Sequence, residues 1–230
     1  MWPCDLLPHG NLRTRGATAA LTRCGALVMS KRHQTQETAM PKLGMEPKRR
    51  AALVSAVIDE IGETRSIDVT VAKIARRAGM SSGLAHHYFG SKEQMLIAAM
   101  RFILAEFSAD VRAELAKAKD PRGRLEAIIR ANFAAHVFDP RKMSAWLSFY
   151  ALAQSNPQAA HLMKLYQRRL HSNLMYDLRA LTPDASAVAT KLAALIDGVY
   201  LRAALNVTGD RKEAAQQVSE ALESFLNAKD

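Results

Sequence analysis

From Met45 onward, apolar residues recur at helical spacing almost to the end of the chain. Leu53, Val57 and Ile61 fall at i, i+4 and i+8, with Val54 and Ile58 beside them. A helix over about 47–63 therefore presents one apolar face. The same spacing returns in Phe107, Val111 and Leu115; in Leu125, Ile128 and Ile129; and in Leu162, Leu165 and Tyr166. It returns again in Leu192, Leu195, Ile196 and Val199, and in Val218, Leu222 and Phe225. Asp120-Pro121, Asp139-Pro140, Asn156-Pro157 and Thr182-Pro183 each set a capping side chain before a proline suited to a first helical turn. A last segment opens after Gly209-Asp210. The predicted helices run over about 92–118, 121–136, 140–154, 157–180, 183–206 and 211–227. Alternation typical of a strand is lacking, since Val69-Thr70-Val71 is too short. The expected fold is all-α, with about nine helices. Residues 1–39 hold no lasting periodicity, and Pro3, Pro8, Gly10, Gly16 and Gly25 interrupt them; they read as a disordered leader.

Residues 70–89 carry the most distinctive local pattern. Thr70 can cap a short helix, Val71–Ala78, and Gly79 permits the left-handed turn that ends it. Ser81 caps a second short helix, Ser82–Tyr88. This is the layout of a helix-turn-helix. Small and polar groups begin its second helix, as end-first insertion into a major groove about 12 Å wide requires. Ser91 with Gln94 forms a capping box for the next helix, whose first amides and Lys92 make a phosphate site. An ordinary helical turn inside a bundle is the plainer reading. His86 and His87 are not a metal pair, because adjacent helical residues diverge by about 100°.

Charge adds a direction. Of the formal +10, residues 1–92 carry +7. A basic beginning beside a near-neutral remainder suits a polyanion partner, or a surface kept basic for solubility alone. Lys48, Arg49 and Arg50 stand at the start of the first helix, against its dipole, and so invite an external anion. Hydrophobic residues make up 49% of the 230, which excludes disorder as the overall state. Cys4 and Cys24 are the only cysteines, so a disulfide scaffold and a four-cysteine zinc site are excluded. The sequence has no glycine-rich phosphate loop, no HExxH and no carboxylate cluster with a matching histidine. Neither an enzyme nor a cofactor nor a metal is expected. No run approaches the roughly 18 apolar residues of a membrane span, and Arg23 breaks Leu21–Met29 as a secretory signal. The arginines of the leader could mimic a transit peptide, but a cytoplasmic protein with no membrane partner is expected.

The run Ile74-Ala75-Arg76-Arg77-Ala78-Gly79-Met80-Ser81-Ser82-Gly83, then His87-Tyr88-Phe89-Gly90-Ser91-Lys92, resembles the DNA-binding domain of TetR-family repressors. The likeness covers about residues 47–97, with departures at Leu84, Ala85 and His86, where the family often has Tyr. Met40–Met45, Ala145–Phe149 and Leu192–Leu205 resemble the choline-responsive, BetI-type branch that governs glycine betaine synthesis. The resemblance implies a repressor in three parts. Residues 1–39 are a leader or a mis-called start, 40–97 read DNA, and 98–230 bind ligand and dimerise. Ser82, Gly83 and His86 are the candidate base-edge contacts. Thr70, Ser81, His87, Tyr88 and Lys92 suit phosphates, and Arg76 or Arg77 suits the backbone. Either Tyr88 or Phe89 is expected to pack on the first helix.

The implied partners are operator DNA, a second copy of the chain and choline. For a quaternary ammonium, Trp146, Tyr150 and Tyr200 form a candidate aromatic cage with Asp197 as counter-charge. Their competing reading is core packing. Leu192, Leu195, Ile196, Val199, Val218, Leu222 and Phe225 are candidate dimer contacts, with intramolecular core as the alternative. A TetR-type repressor for a drug or an acyl ligand, or a sequence-neutral architectural DNA binder, are the rival functions.

Overall fold

A computed structural model describes residues 45–205 and 210–228. The leader and the start expected at Met40 lie outside the described residues. Among the described residues there are nine helices and no strand: α1 (Met45–Thr64), α2 (Val71–Arg77), α3 (Ser82–Phe89), α4 (Lys92–Leu115), α5 (Pro121–Asn132), α6 (Pro140–Ser155), α7 (Pro157–Leu178), α8 (Ala185–Ala204) and α9 (Arg211–Asn227).

The caps explain most of these boundaries. Asp120, Asp139, Asn156 and Asp210 each accept hydrogen bonds from first-turn amides of the helix that follows. Two boundaries differ from the periodicity. α5 ends at Asn132 rather than near 136, because Phe133 turns into the core and is almost fully buried. There its ring meets Phe138, with centroids 6.0 Å apart. α8 begins at Ala185 rather than at Pro183. Thr182 uses its hydroxyl to accept from the Asp184 amide at 3.3 Å, which closes a turn instead of capping the helix.

Two apolar clusters hold the helices. The first joins α1 to α4 with α6 and the start of α7: Leu53, Val57, Ile61, Ile74, Met95 and Phe149 are at its centre. The second is built from α5, α7, α8 and α9. Residue 97, the expected boundary between reader and regulatory part, therefore lies inside α4, and the first cluster continues past it.

The expected dimer faces need correction. Leu192, Ile196, Val199, Val218 and Leu222 are buried within this one chain, against α5 and α7. Leu195 and Phe225 also pack on that cluster, half-buried. What α8 leaves outward is a different stripe, running through Ala187, Thr190, Ala194 and Leu201, with Leu205 just past its end. No helix among the described residues is long and apolar enough to cross a membrane.

Candidate functional site

α2 and α3 are fixed by their caps and by the turn between them. Thr70 Oγ1 accepts from the Lys73 amide at 3.3 Å, and Ser81 Oγ accepts from the Leu84 amide at 3.2 Å. Gly79 takes φ +67°, a conformation costly to any side chain, so that the Met80 amide can reach the Ala75 carbonyl at 2.8 Å. Ala85 is the fully buried residue of α3, which turns Gly83 and His86 away from the core and leaves Ser82 at its edge. Thr70, Arg76, Ser81, Gly83, His86 and His87 are exposed; Ser82, Tyr88 and Lys92 are half-buried. A Cβ placed on Gly83 would meet nothing within 4 Å, so its backbone stands open to a partner. The His86 Nδ1 lies 2.9 Å from the Gly90 carbonyl. A carbonyl only accepts, so Nδ1 carries the proton and Nε2 is left free for a partner.

Other expected contacts are taken up internally. Arg77 donates to Glu60 at 2.7 Å and pairs with Glu63, tying α2 to α1. Arg76 is thus the outward member of the pair. Tyr88 and Phe89 both pack on the core around α1. Arg50 lies over both rings, 5.7 and 5.3 Å from their centroids, and pairs with Glu46. Arg49 donates to the Tyr88 hydroxyl at 3.3 Å. Two of the three basic residues that begin α1 therefore brace α3 rather than await an anion. Lys92 lies 3.5 Å from the Asp68 carboxylate. Only half of the capping box forms: Ser91 Oγ accepts from the Gln94 amide, but the Gln94 side chain donates to Gln158 on α7.

A second feature lies between α4, α5, α6, α7 and α8. It is a cavity partly open to solvent, with about 60 Å³ of room for the centre of a water molecule. Phe107, Trp146, Tyr166 and Tyr200 supply its aromatic wall. The Trp146 ring meets Tyr166 and Tyr150 edge-on, at centroid distances of 5.2 and 5.7 Å. Tyr166 donates its hydroxyl proton to Asp197 Oδ1 at 2.9 Å. Burial pushes the Asp197 carboxyl above the usual aspartate range, and the Tyr166 bond offsets part of that rise. Burial, reinforced by the Asp197 charge, pushes Tyr150 up to about 12. Of the four residues expected in the cage, Trp146 and Tyr200 line the cavity. Tyr150 packs on Trp146, and Asp197 is reached through Tyr166. At the mouth stand two acid–base pairs. Lys142 donates to Glu106 at 2.8 Å, and His136 Nε2 lies 2.6 Å from Asp110.

α6 connects the two features. Asp139 accepts from the Arg141 and Lys142 amides and so caps the first turn of α6. Arg141 then reaches Asp59 on α1 at 2.8 Å. The backbones approach so closely here that a Cβ on Gly62 would lie 2.6 Å from the Arg141 Cα. Trp146, in the cavity wall, is on the same helix, so a shift of α6 is felt at α1.

Comparison with known proteins matches both parts of the chain. Residues 63–99 match the family profile of bacterial regulatory proteins of the tetR family, and residues 121–227 match that of the C-terminal part of BetI-type transcriptional repressors. The HTH-type transcriptional regulator BetI of Rhizobium meliloti is 47% identical over 191 residues, covering 82% of this chain and 93% of that protein. The chain belongs to the BetI family of transcriptional regulators. The BetI of Brucella anthropi is 46% identical over 182 residues, 78% of this chain and 93% of that one. A solved transcriptional regulator from Pseudomonas aeruginosa superposes with a TM-score of 0.69 at 27% identity, covering 78% of this chain and 90% of that one. Another, from Saccharomonospora viridis in complex with choline, gives a TM-score of 0.71 at 23% identity, with 77% and 96% covered.

For a BetI-type repressor, sequence reasoning missed one aromatic residue of the cavity wall, Tyr166. Tyr166 has apolar helical spacing with Leu162 and Leu165, and read as core. Nothing local distinguishes it; its role depends on α7 packing between α6 and α8. Glu106, Asp110, His136 and Lys142 were missed for the same reason, since each half of a pair comes from a distant segment.

Proposed function

We propose that this BetI-type regulator represses genes for the conversion of choline to glycine betaine, and that choline weakens its hold on the operator. The observation that carries the reading is the cavity wall of Trp146, Tyr166 and Tyr200, backed by the Asp197 carboxylate. A quaternary ammonium has no N–H to donate. It is held by aromatic faces and a negative charge, and this site offers both. A relative of the same fold holds choline. An uncharged acyl chain would gain nothing from Asp197.

In this reading residues 40–97 meet DNA and 98–230 sense the ligand. Ser82, Gly83 and His86 Nε2 approach base edges, while Thr70, Arg76, Ser81, His87 and Lys92 meet phosphates; Tyr88 braces α3 more than it touches DNA. The homodimer forms through the outward stripe of α8, where Leu201 and Leu205 are 43% and 57% exposed. Two recognition helices must then sit about 34 Å apart. Choline favours the conformation in which that spacing is wrong. The protein acts in the cytoplasm, by binding and not by catalysis.

Gel-shift titration on DNA upstream of the betaine-synthesis genes tests this. A shift that survives competitor DNA and weakens with choline is expected. Equal binding to scrambled DNA would indicate an architectural binder. Release by acyl or lipophilic compounds but not by choline would indicate a different effector.

The raised Asp197 pKa gives a pH prediction. Burial disfavours the Asp197 carboxylate relative to an exposed aspartate, so its contribution to stability is present at low pH and fades as pH rises through the raised value. Choline needs the carboxylate. Its affinity should therefore fall as pH is lowered through that range, by up to about tenfold per pH unit, and binding should release a proton. Calorimetry in buffers of different ionisation enthalpy reads both. Asp197→Asn should flatten the profile; a flat profile in the wild type sinks the assignment.

A further inference from the structure

We propose that the Lys142 ammonium is the cavity's resident cation, held on Glu106 until a cationic effector takes its place, and that this exchange loosens α6 from α1. The inference rests on the choline reading above. Three carboxylates serve the cavity. Asp197 is engaged by a phenol, Asp110 by an imidazole and Glu106 by an ammonium, Lys142 Nζ at 2.8 Å. That pair is partly shielded, with side-chain exposures of 27% for Lys142 and 39% for Glu106. A second cation entering the same cavity is repelled by Lys142 and drawn to Glu106. When Lys142 turns out to water the repulsion is relieved and Glu106 is free to meet the entering cation.

The consequence follows from where Lys142 sits. Its neighbour Arg141 holds Asp59 on α1, and Asp139 caps both of their amides. One turn of helix thus carries the tie to α4 and the tie to α1. Losing the Lys142–Glu106 bond removes an ion pair that ties this turn to α4. The reader then loses a fixed support at Gly62, where no space is spare.

Three full-length variants test this: Lys142→Met, Lys142→Arg and Glu106→Gln. Choline and tetramethylammonium affinities are measured by calorimetry without DNA. Operator affinity is measured by fluorescence anisotropy without ligand. Lys142→Met should bind choline about tenfold more tightly and the operator about tenfold more weakly. Lys142→Arg should stay near the wild type in both. Glu106→Gln should weaken both, because it frees Lys142 and also removes the carboxylate that the ligand needs. A general loss of fold cannot give opposite signs in the first variant and equal signs in the third. Unchanged or weaker choline binding by Lys142→Met overturns the proposal, as does unchanged operator affinity. If the wild type binds neither ammonium, the choline reading fails, and with it the exchange proposed here. The operator affinities of Lys142→Met and Lys142→Arg still show separately whether the Lys142–Glu106 tie supports the reader.

Discussion

Gly62→Ala should destabilise the protein by about 1–3 kcal/mol through overpacking, even though alanine is the better helix former by about 1 kcal/mol. The added methyl would lie 2.5 Å from the Arg141 Cβ and 2.6 Å from its Cα. Neither atom is the tip of a flexible side chain, so α6 must move away from α1. The Arg141–Asp59 pair then lengthens, and the reader shifts against the ligand-binding helices. Operator affinity should fall with stability. Gly123→Ala is the internal control. There the nearest atom to a new Cβ is an Asp120 carboxylate oxygen at an ordinary 3.4 Å. That variant should be neutral or more stable, by up to about 1 kcal/mol. Urea denaturation of the two variants side by side decides. A Gly62→Ala protein as stable as the wild type would mean that the α1–α6 contact yields easily and transmits little.

Trp146→Ala should weaken choline binding by roughly 30-fold or more, the equivalent of a desolvated cation–π contact of about 2 kcal/mol. Its ring forms cavity wall and also backs Tyr166 and Tyr150, so removing it loosens the other aromatics as well. Trp146→Phe keeps a π face and should lose less. Tyr150→Ala should also lose less, because Tyr150 stands outside the wall. Tyr166→Phe keeps the ring but strips Asp197 of its hydrogen bond, leaving a buried carboxyl without that donor. Calorimetric titration of all four gives the order. Near-equal affinities for Trp146→Ala and the wild type would place the cation elsewhere.

Much of the fold was legible because helix boundaries are local. Asp120, Asp139 and Asn156 sit next to the amides they cap, and the following prolines leave little choice of conformation. The failures were of another kind. Periodicity in α8 and α9 revealed an apolar stripe but not what covers it. Leu192 and Val218 are covered by this chain's own α5 and α7. Arg76 and Arg77 looked alike in sequence. The packing of α2 on α1 places one beside Glu60 and leaves the other outside. In the cavity, Trp146 was found because aromatic residues cluster around it on one helix. Tyr166, spaced with Leu162 and Leu165 and with no second aromatic beside it, gave no such signal.

The apolar cluster that runs from α1 into α6 and α7 limits how this regulator can be taken apart. Cutting the chain at residue 97 would leave α4 with little more than its first turn. It would also strip Leu53, Ile61 and Met95 of Phe149, their fully buried partner from α6. Grafting its reading head onto another sensor would therefore require carrying α6 along or redesigning the surface that α6 covers. α1 to α4, α6 and the start of α7 are better regarded as one packed unit than as a reading head that ends at residue 97.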